Sequence, residues 1–161
     1  MRKALDCAVR FSLLHQDVIR VYTTKQKGDI TELACILALK RFGITVSIPY
    51  GENARYDLVA DIGGKLYRIQ CKTSSFKDGC LMFSCKSVHY NTKTRQCEGY
   101  VGEIDFFMTE YNSVCYLIPI EDCENASSKT LRIEAAKNNQ SKNVSFASDY
   151  ELSAVLSKMP V

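Results

Sequence analysis

Tyr56-Asp57-Leu58-Val59-Ala60-Asp61-Ile62-Gly63-Gly64-Lys65-Leu66-Tyr67-Arg68-Ile69-Gln70-Cys71-Lys72 reads as a β-hairpin. Gly63-Gly64 is a strong two-residue turn signal, because the turns that match strand twist need positive φ at their central residues. With that turn Ile62 faces Lys65 and, counting outward, Asp57 faces Gln70 on one side of the ribbon, about 5 Å apart at Cβ. Lys72, two residues beyond Gln70, shares that side. The other side, with Leu58, Ala60, Ile62, Tyr67, Ile69 and Cys71, is a core face. A slip of one residue would scatter the acid, the amide and the lysine, so their juxtaposition depends on the turn.

Upstream, Asp29-Ile30-Thr31-Glu32 carries the residue types of a capping box, a helix body runs through Arg41, and Gly43 suits its end. Extended segments are predicted at 44–50, 56–62, 65–73, 80–86, 104–110 and 114–120, the last two joined through Tyr111-Asn112-Ser113. A polar, basic loop is expected at His89–Gln96, a short strand at 131–134 and a closing helix over 149–158. Helix, strands, helix in this order predict an α/β (α+β) architecture around a mixed sheet. Residues 1–26 read as a helical N-terminal extension and 27–161 as the main domain.

The chain has 161 residues, 46% hydrophobic and 24% charged, one domain's worth of an ordinary globular mixture. No stretch is apolar over the roughly 18 residues of a membrane span. Asp6 and Arg10 interrupt any signal-peptide core, so a soluble, cytoplasmic protein is expected. The eight cysteines lack a CxxC pair, and the histidines are His15 and His89. Free thiols acting as small buried hydrophobes therefore suit the chain better than disulfides or structural zinc.

The net charge of +3 hides an uneven distribution. Residues 65–95 hold Lys65, Arg68, Lys72, Lys77, Lys86, Lys93 and Arg95 against the single acid Asp78, whereas 96–125 contain acids and no Lys or Arg. Such a molecule offers a polyanion one attractive side; solvated faces are the plainer alternative.

Glu32 falls between Ile36 and Leu39 on a helix that is apolar nearly all round. Either it completes a cap with Asp29, or it is paired, neutral or bound to something. Asp57 and Lys72 likewise form either a surface ion pair or part of a reactive centre. Taken together, Glu32, Asp57, Gln70 and Lys72 suit metal-assisted hydrolysis of a phosphodiester. Asp57, the Gln70 amide oxygen and the Cys71 carbonyl would be oxygen ligands, with Glu32 holding a metal-bound water. Lys72 would orient or deprotonate the attacking water and offset phosphate charge. Neutral Gln70 favours one tightly held ion over two.

These residues resemble the signature of the PD-(D/E)XK nuclease superfamily: a helix acid, an Asp on one strand, and (D/E)-x-K on the next. The text is similar to a Gln-x-Lys branch that includes small homing endonucleases of group I introns. It is carried by Lys27-Gly28-Asp29-x-x-Glu32, by Ile48 through Asp57, by Lys65 through Thr73, and by the later Tyr100–Phe107, Tyr116–Pro119 and Ala147–Tyr150. Tyr56 stands where the motif has proline and Gln70 where it has an acid.

The resemblance implies a restriction-endonuclease-like αβββαβ core, a central mixed sheet flanked by helices. It also implies a Mg2+-dependent DNA endonuclease (Mn2+ as substitute) that works on double-stranded DNA as a homodimer or homotetramer. Glu32, Asp57, Gln70 and Lys72 become its catalytic set. DNA contacts are expected from Lys27, Arg55, Lys77 and Lys86, and from His89, Tyr90, Asn91, Lys93 and Arg95, which mix cations, amides and an aromatic. A junction resolvase on the same fold and a DNA-binding module without catalysis are the alternatives.

Overall fold

The computed structural model describes residues 22–51, 53–90, 95–124, 126–134 and 144–159. Helix α1 spans Thr24–Arg41 and opens on a capping box six residues earlier than the sequence suggested. Thr23 Oγ1 accepts from the Gln26 backbone N–H at 3.3 Å, and the Gln26 side chain accepts from the Thr23 N–H at 2.9 Å. Thr23-x-x-Gln26 offers the same reciprocal pairing as Asp29-x-x-Glu32, so the earlier signal takes the cap and Glu32 lies inside the helix. At the other end Gly43, at φ 75°, lets the Ile44 N–H return to the Leu39 carbonyl at 3.1 Å and closes the helix.

Strands β1 (Thr45–Ser47), β2 (Leu58–Ile62), β3 (Lys65–Cys71), β8 (Phe106–Tyr111) and β9 (Val114–Pro119) form a sheet in the order β1-β2-β3-β8-β9. The β2–β3 register pairs Ile62 with Lys65 and Leu58 with Ile69, as the Gly63-Gly64 turn requires. Both glycines have positive φ, 60° and 80°. β8 and β9 turn through Asn112 and Ser113, also at positive φ. β3 pairs antiparallel with β2 and parallel with β8, which places it at the centre of a mixed sheet.

Between β3 and β8 the described residues hold strands rather than the implied helix. β4 (Ser75–Lys77) and β5 (Cys80–Ser84) join β10 (Ser128–Arg132), which begins three residues before the expected strand, in a second sheet. The expected loop at 89–96 is instead a separate ribbon: β6 (Ser87–Tyr90) pairs with β7 (Arg95–Glu98), His89 opposite Gln96. Among the described residues its two strands pair only with each other, and the sequence shows no apolar alternation there. The closing helix is also shorter than expected. A 3-10 turn, Ala147–Tyr150, precedes α2 (Leu152–Leu156), because Glu151 is extended and bridges Tyr116 of β9.

The five-stranded sheet is buried on both faces. Leu58, Ala60, Tyr67, Ile69, Met108 and Leu117 pack with Cys35 and Leu39 of α1 and Leu152 of α2. Phe107, Tyr116 and Ile118 pack with Leu81, Phe83 and Leu131 of the second sheet. Each large apolar side chain removed from water contributes about 1.5–3 kcal/mol. The frame that carries Asp57 and Gln70 is therefore held from both sides. Among the described residues no helix is long and apolar enough to cross a membrane.

Candidate active site

Where β2 begins, the Asp57 N–H donates to the Ile69 carbonyl at 2.9 Å and continues the β2–β3 register by one residue. Asp57 thus stands opposite Gln70. Its Oδ2 accepts from Gln70 Nε2 at 2.6 Å and from the Cys71 N–H at 2.7 Å. Gln70 Nε2 also reaches the Cys71 carbonyl at 3.3 Å. The acid, the amide and the carbonyl read from the hairpin are therefore together.

Burial raises the Asp57 carboxyl above its ordinary range, against the Cys71 N–H, the Gln70 amide and the charge of Lys72, which all lower it. Glu32, half-buried on α1, is raised by burial and then by the negative charges of Asp57 and Asp29. The charge of Asp57 is thus felt at Glu32. α1 is tied to the end of β3 by Thr31 Oγ1, 3.0 Å from Thr73 Oγ1.

Lys72 leaves β3 with its backbone N–H bonded to the Met108 carbonyl at 2.9 Å. Its ammonium does not form a surface ion pair with Asp57. It donates to Tyr100 Oη at 2.7 Å. Tyr100, Thr31 and Thr73 were missed as members of the site, since no local pattern links Lys72 to a tyrosine 28 positions away.

The proposed DNA-contact residues are dispersed. Lys27 is exposed on the first turns of α1, Lys77 is exposed on β4, and Lys86 is half-buried between β5 and β6. His89 and Tyr90 belong to β6 and Arg95 to β7, while Asn91 and Lys93 lie outside the described residues. Arg55 is turned inward, donating to Glu103 at 2.6 Å, to Ser87 Oγ at 2.8 Å and to the Gly99 carbonyl at 2.8 Å. Arg68 meets Asp105 at 3.4 Å, so part of the acidic segment neutralises basic residues of the same molecule.

Cys35, Cys80, Cys85, Cys115 and Cys123 are buried free thiols, Cys71 is half-buried and Cys97 exposed. Among the described residues no three His, Cys, Asp or Glu side chains gather as a metal cluster. The oxygen donors here are two carboxylates, one amide and one carbonyl.

No curated protein matches the chain. Among solved structures it is similar to a bacterial homing endonuclease, I-Ssp6803I, with 26% identity and a TM-score of 0.70 over 85% of this chain and 95% of that one. The likeness extends to the restriction-endonuclease-like frame. The profile of the PD-(D/E)XK endonuclease family matches residues 22–153. The helix acid, the strand Asp and the x-Lys strand occupy one place in this fold, and the chain belongs to the PD-(D/E)XK endonuclease family.

Proposed function

We propose that the protein is a divalent-metal-dependent endodeoxyribonuclease that hydrolyses phosphodiester bonds of double-stranded DNA in the cytoplasm, in the manner of a homing or restriction enzyme. The observation that carries this reading is Asp57 held against Gln70 and the Cys71 N–H, with Glu32 and Lys72 in electrostatic reach.

The donor set fits a hard cation such as Mg2+, which takes oxygen ligands and keeps several waters. Two half-buried carboxyls raised by burial, one of them further raised by the other's charge, are a pair that a cation relieves. Among the described residues both hydrogen bonds to Asp57 fall on Oδ2, leaving Oδ1 for a ligand. Asp57, the Gln70 amide oxygen, the Cys71 carbonyl and Glu32, directly or through water, would hold the ion. When bound, the ion supplies charge stabilisation at the phosphate and acidifies water.

The remaining work falls to the chain. Asp57 and Glu32 orient water, and Lys72 offsets the charge that grows on the phosphate or takes the proton of the attacking water. Lys27, Lys77, Lys86, His89 and Tyr90 of β6, Arg95 of β7, and Asn91 and Lys93 between them in sequence would meet the duplex. The exposed apolar residues Ile30, Leu33 and Leu37 on α1, with Phe42 just beyond it, support assembly as a homodimer or homotetramer.

The test is cleavage of supercoiled plasmid and of a four-way junction, with Mg2+ or Mn2+, by wild type and Lys72→Ala. Metal-dependent cutting of duplex, lost in the variant by about 10²–10⁴-fold, is the expected result. Equal cutting by both proteins overturns the assignment of Lys72. Preference for the junction makes the protein a resolvase. Tight DNA binding without cutting, persisting on fragments selected from random DNA, makes it a binding module.

A further inference from the structure

Tyr100 lies between β7 and β8 and is only 4% exposed. Its ring meets Phe107 edge-on, with centroids 5.4 Å apart. The Arg55 guanidinium lies 4.6 Å from the ring centroid, and Lys72 Nζ donates to its hydroxyl at 2.7 Å. Arg55 is in turn fixed by Glu103, by Ser87 at the start of β6, and by the Gly99 carbonyl just past β7. Its guanidinium also lies 3.9 Å from Glu98 of β7. The base of the β6–β7 ribbon, the loop leading into Asp57, and the Lys72 ammonium thus meet on one phenol ring.

The partner chosen by Lys72 matters chemically. A carboxylate would clamp the ammonium strongly and cancel its charge; a phenol oxygen aims it while leaving the charge available to a phosphate. Asp57 Oδ2, the anionic alternative, is already supplied by two N–H donors.

We propose that Tyr100 is a positioning residue: its hydroxyl holds the Lys72 ammonium beside the Asp57–Gln70 pair, and Arg55, gripping the base of the β6–β7 ribbon, holds the ring that carries the hydroxyl. The proposal rests on the nuclease reading for its kinetic consequence, but the contact itself is tested without DNA. A nucleic acid that displaces the ribbon would, by this linkage, reach the amine as well.

Tyr100→Phe keeps the ring for Arg55 and Phe107 and removes only the oxygen. The expected result is a fall in kcat of roughly 10–100-fold, the loss typical of a misplaced catalytic group, with Kd for DNA unchanged. In a Lys72→Ala background the same substitution is expected to cost nothing further, since residues that act as a unit are not additive. Arg55→Met is expected to lower kcat in the same direction, again only when Lys72 is present.

The independent readout is acylation of the Lys72 amine in DNA-free protein, followed by peptide mass spectrometry. Tyr100→Phe is expected to speed labelling at Lys72 and leave Lys77 unchanged. Unchanged labelling at Lys72, an unchanged kcat, or an equal loss in the Lys72→Ala background would overturn the positioning role. If wild type cuts no DNA while labelling still accelerates, the contact stands and the nuclease reading falls.

Discussion

Thr31 Oγ1 on α1 lies 3.0 Å from Thr73 Oγ1 just past β3. The Thr31 hydroxyl already donates to the Lys27 carbonyl at 2.9 Å, so Thr73 is the donor in this pair. Glu32 is the next residue on the helix and Lys72 precedes Thr73, so one hydrogen bond sets the helix acid against the strand that carries Gln70. Thr31→Val keeps the shape and removes the acceptor. It will cost about 1 kcal/mol of stability. It will also raise the Mg2+ concentration needed for half-maximal cleavage, measured by metal titration at constant DNA. An unchanged metal requirement would show that Glu32 is placed by packing alone.

The carboxyls of Glu32 and Asp57 give a stability signature with a definite sign. Both are raised in the folded protein, chiefly by burial. The folded state therefore holds these protons more tightly than the unfolded chain does. Their contribution favours folding at low pH and is lost as pH rises through the folded-state values. Glu32→Gln and Asp57→Asn will melt higher than wild type near neutral pH, and the gain will shrink as pH falls toward about 3.5, where Glu32 and Asp57 become largely protonated in the unfolded chain as well. Thermal melts across that range in metal-free buffer test this. A gain that does not depend on pH would point to packing instead.

Gln70→Glu restores an acid before x-Lys but replaces the Nε2 donor that reaches Asp57 Oδ2 at 2.6 Å with a like charge. Without divalent cation the variant will be less stable than wild type by roughly 1–3 kcal/mol, the cost of a partner removed from a half-buried group. With Mg2+ that difference will shrink or reverse, because a third carboxylate adds charge to the donor set. Paired melts with Mg2+ and with chelator give the answer. A melting difference unaffected by Mg2+ would remove Gln70 from the metal's surroundings.

The turn that sets the register makes its own prediction. Gly64, at φ 80°, has open space where a Cβ would sit, so a side chain there meets strain rather than a clash. Gly64→Val will cost about 1–3 kcal/mol. Gly63→Asn, at φ 60°, will be nearly neutral, since Asn-Gly suits this turn. Cleavage will fall further in Gly64→Val than the loss of folded protein explains, if strained pairing loosens Asp57 from Gln70. Urea unfolding alongside single-turnover cleavage separates the two.

Legibility in the sequence followed the reach of each signal. The hairpin was readable because a glycine pair and two alternating strands all lie within Tyr56–Lys72, and the burial of Leu58, Ala60 and Ile69 follows that alternation. The free thiols at Cys35, Cys115 and Cys123 are buried, as expected of cysteines used as small hydrophobes. The start of α1 was misjudged because two S/T/D-x-x-E/Q signals stand six residues apart and spacing alone does not rank them. The β6–β7 ribbon escaped because its residues, His89, Arg95 and Gln96 among them, show no apolar alternation in sequence. Tyr100 and Thr73 escaped because their partners are chosen by tertiary folding, across 28 and 42 positions.

Among the described residues the β6–β7 ribbon forms a sheet of its own, sharing no backbone ladder with the five-stranded frame. Substitutions at its far end can accumulate without changing a hydrogen bond between β2, β3 and β8. Evolution, or an engineer, is therefore free to rewrite that tip while the chemistry is inherited intact, provided that Ser87, Gly99 and Arg55 at its root are left in place.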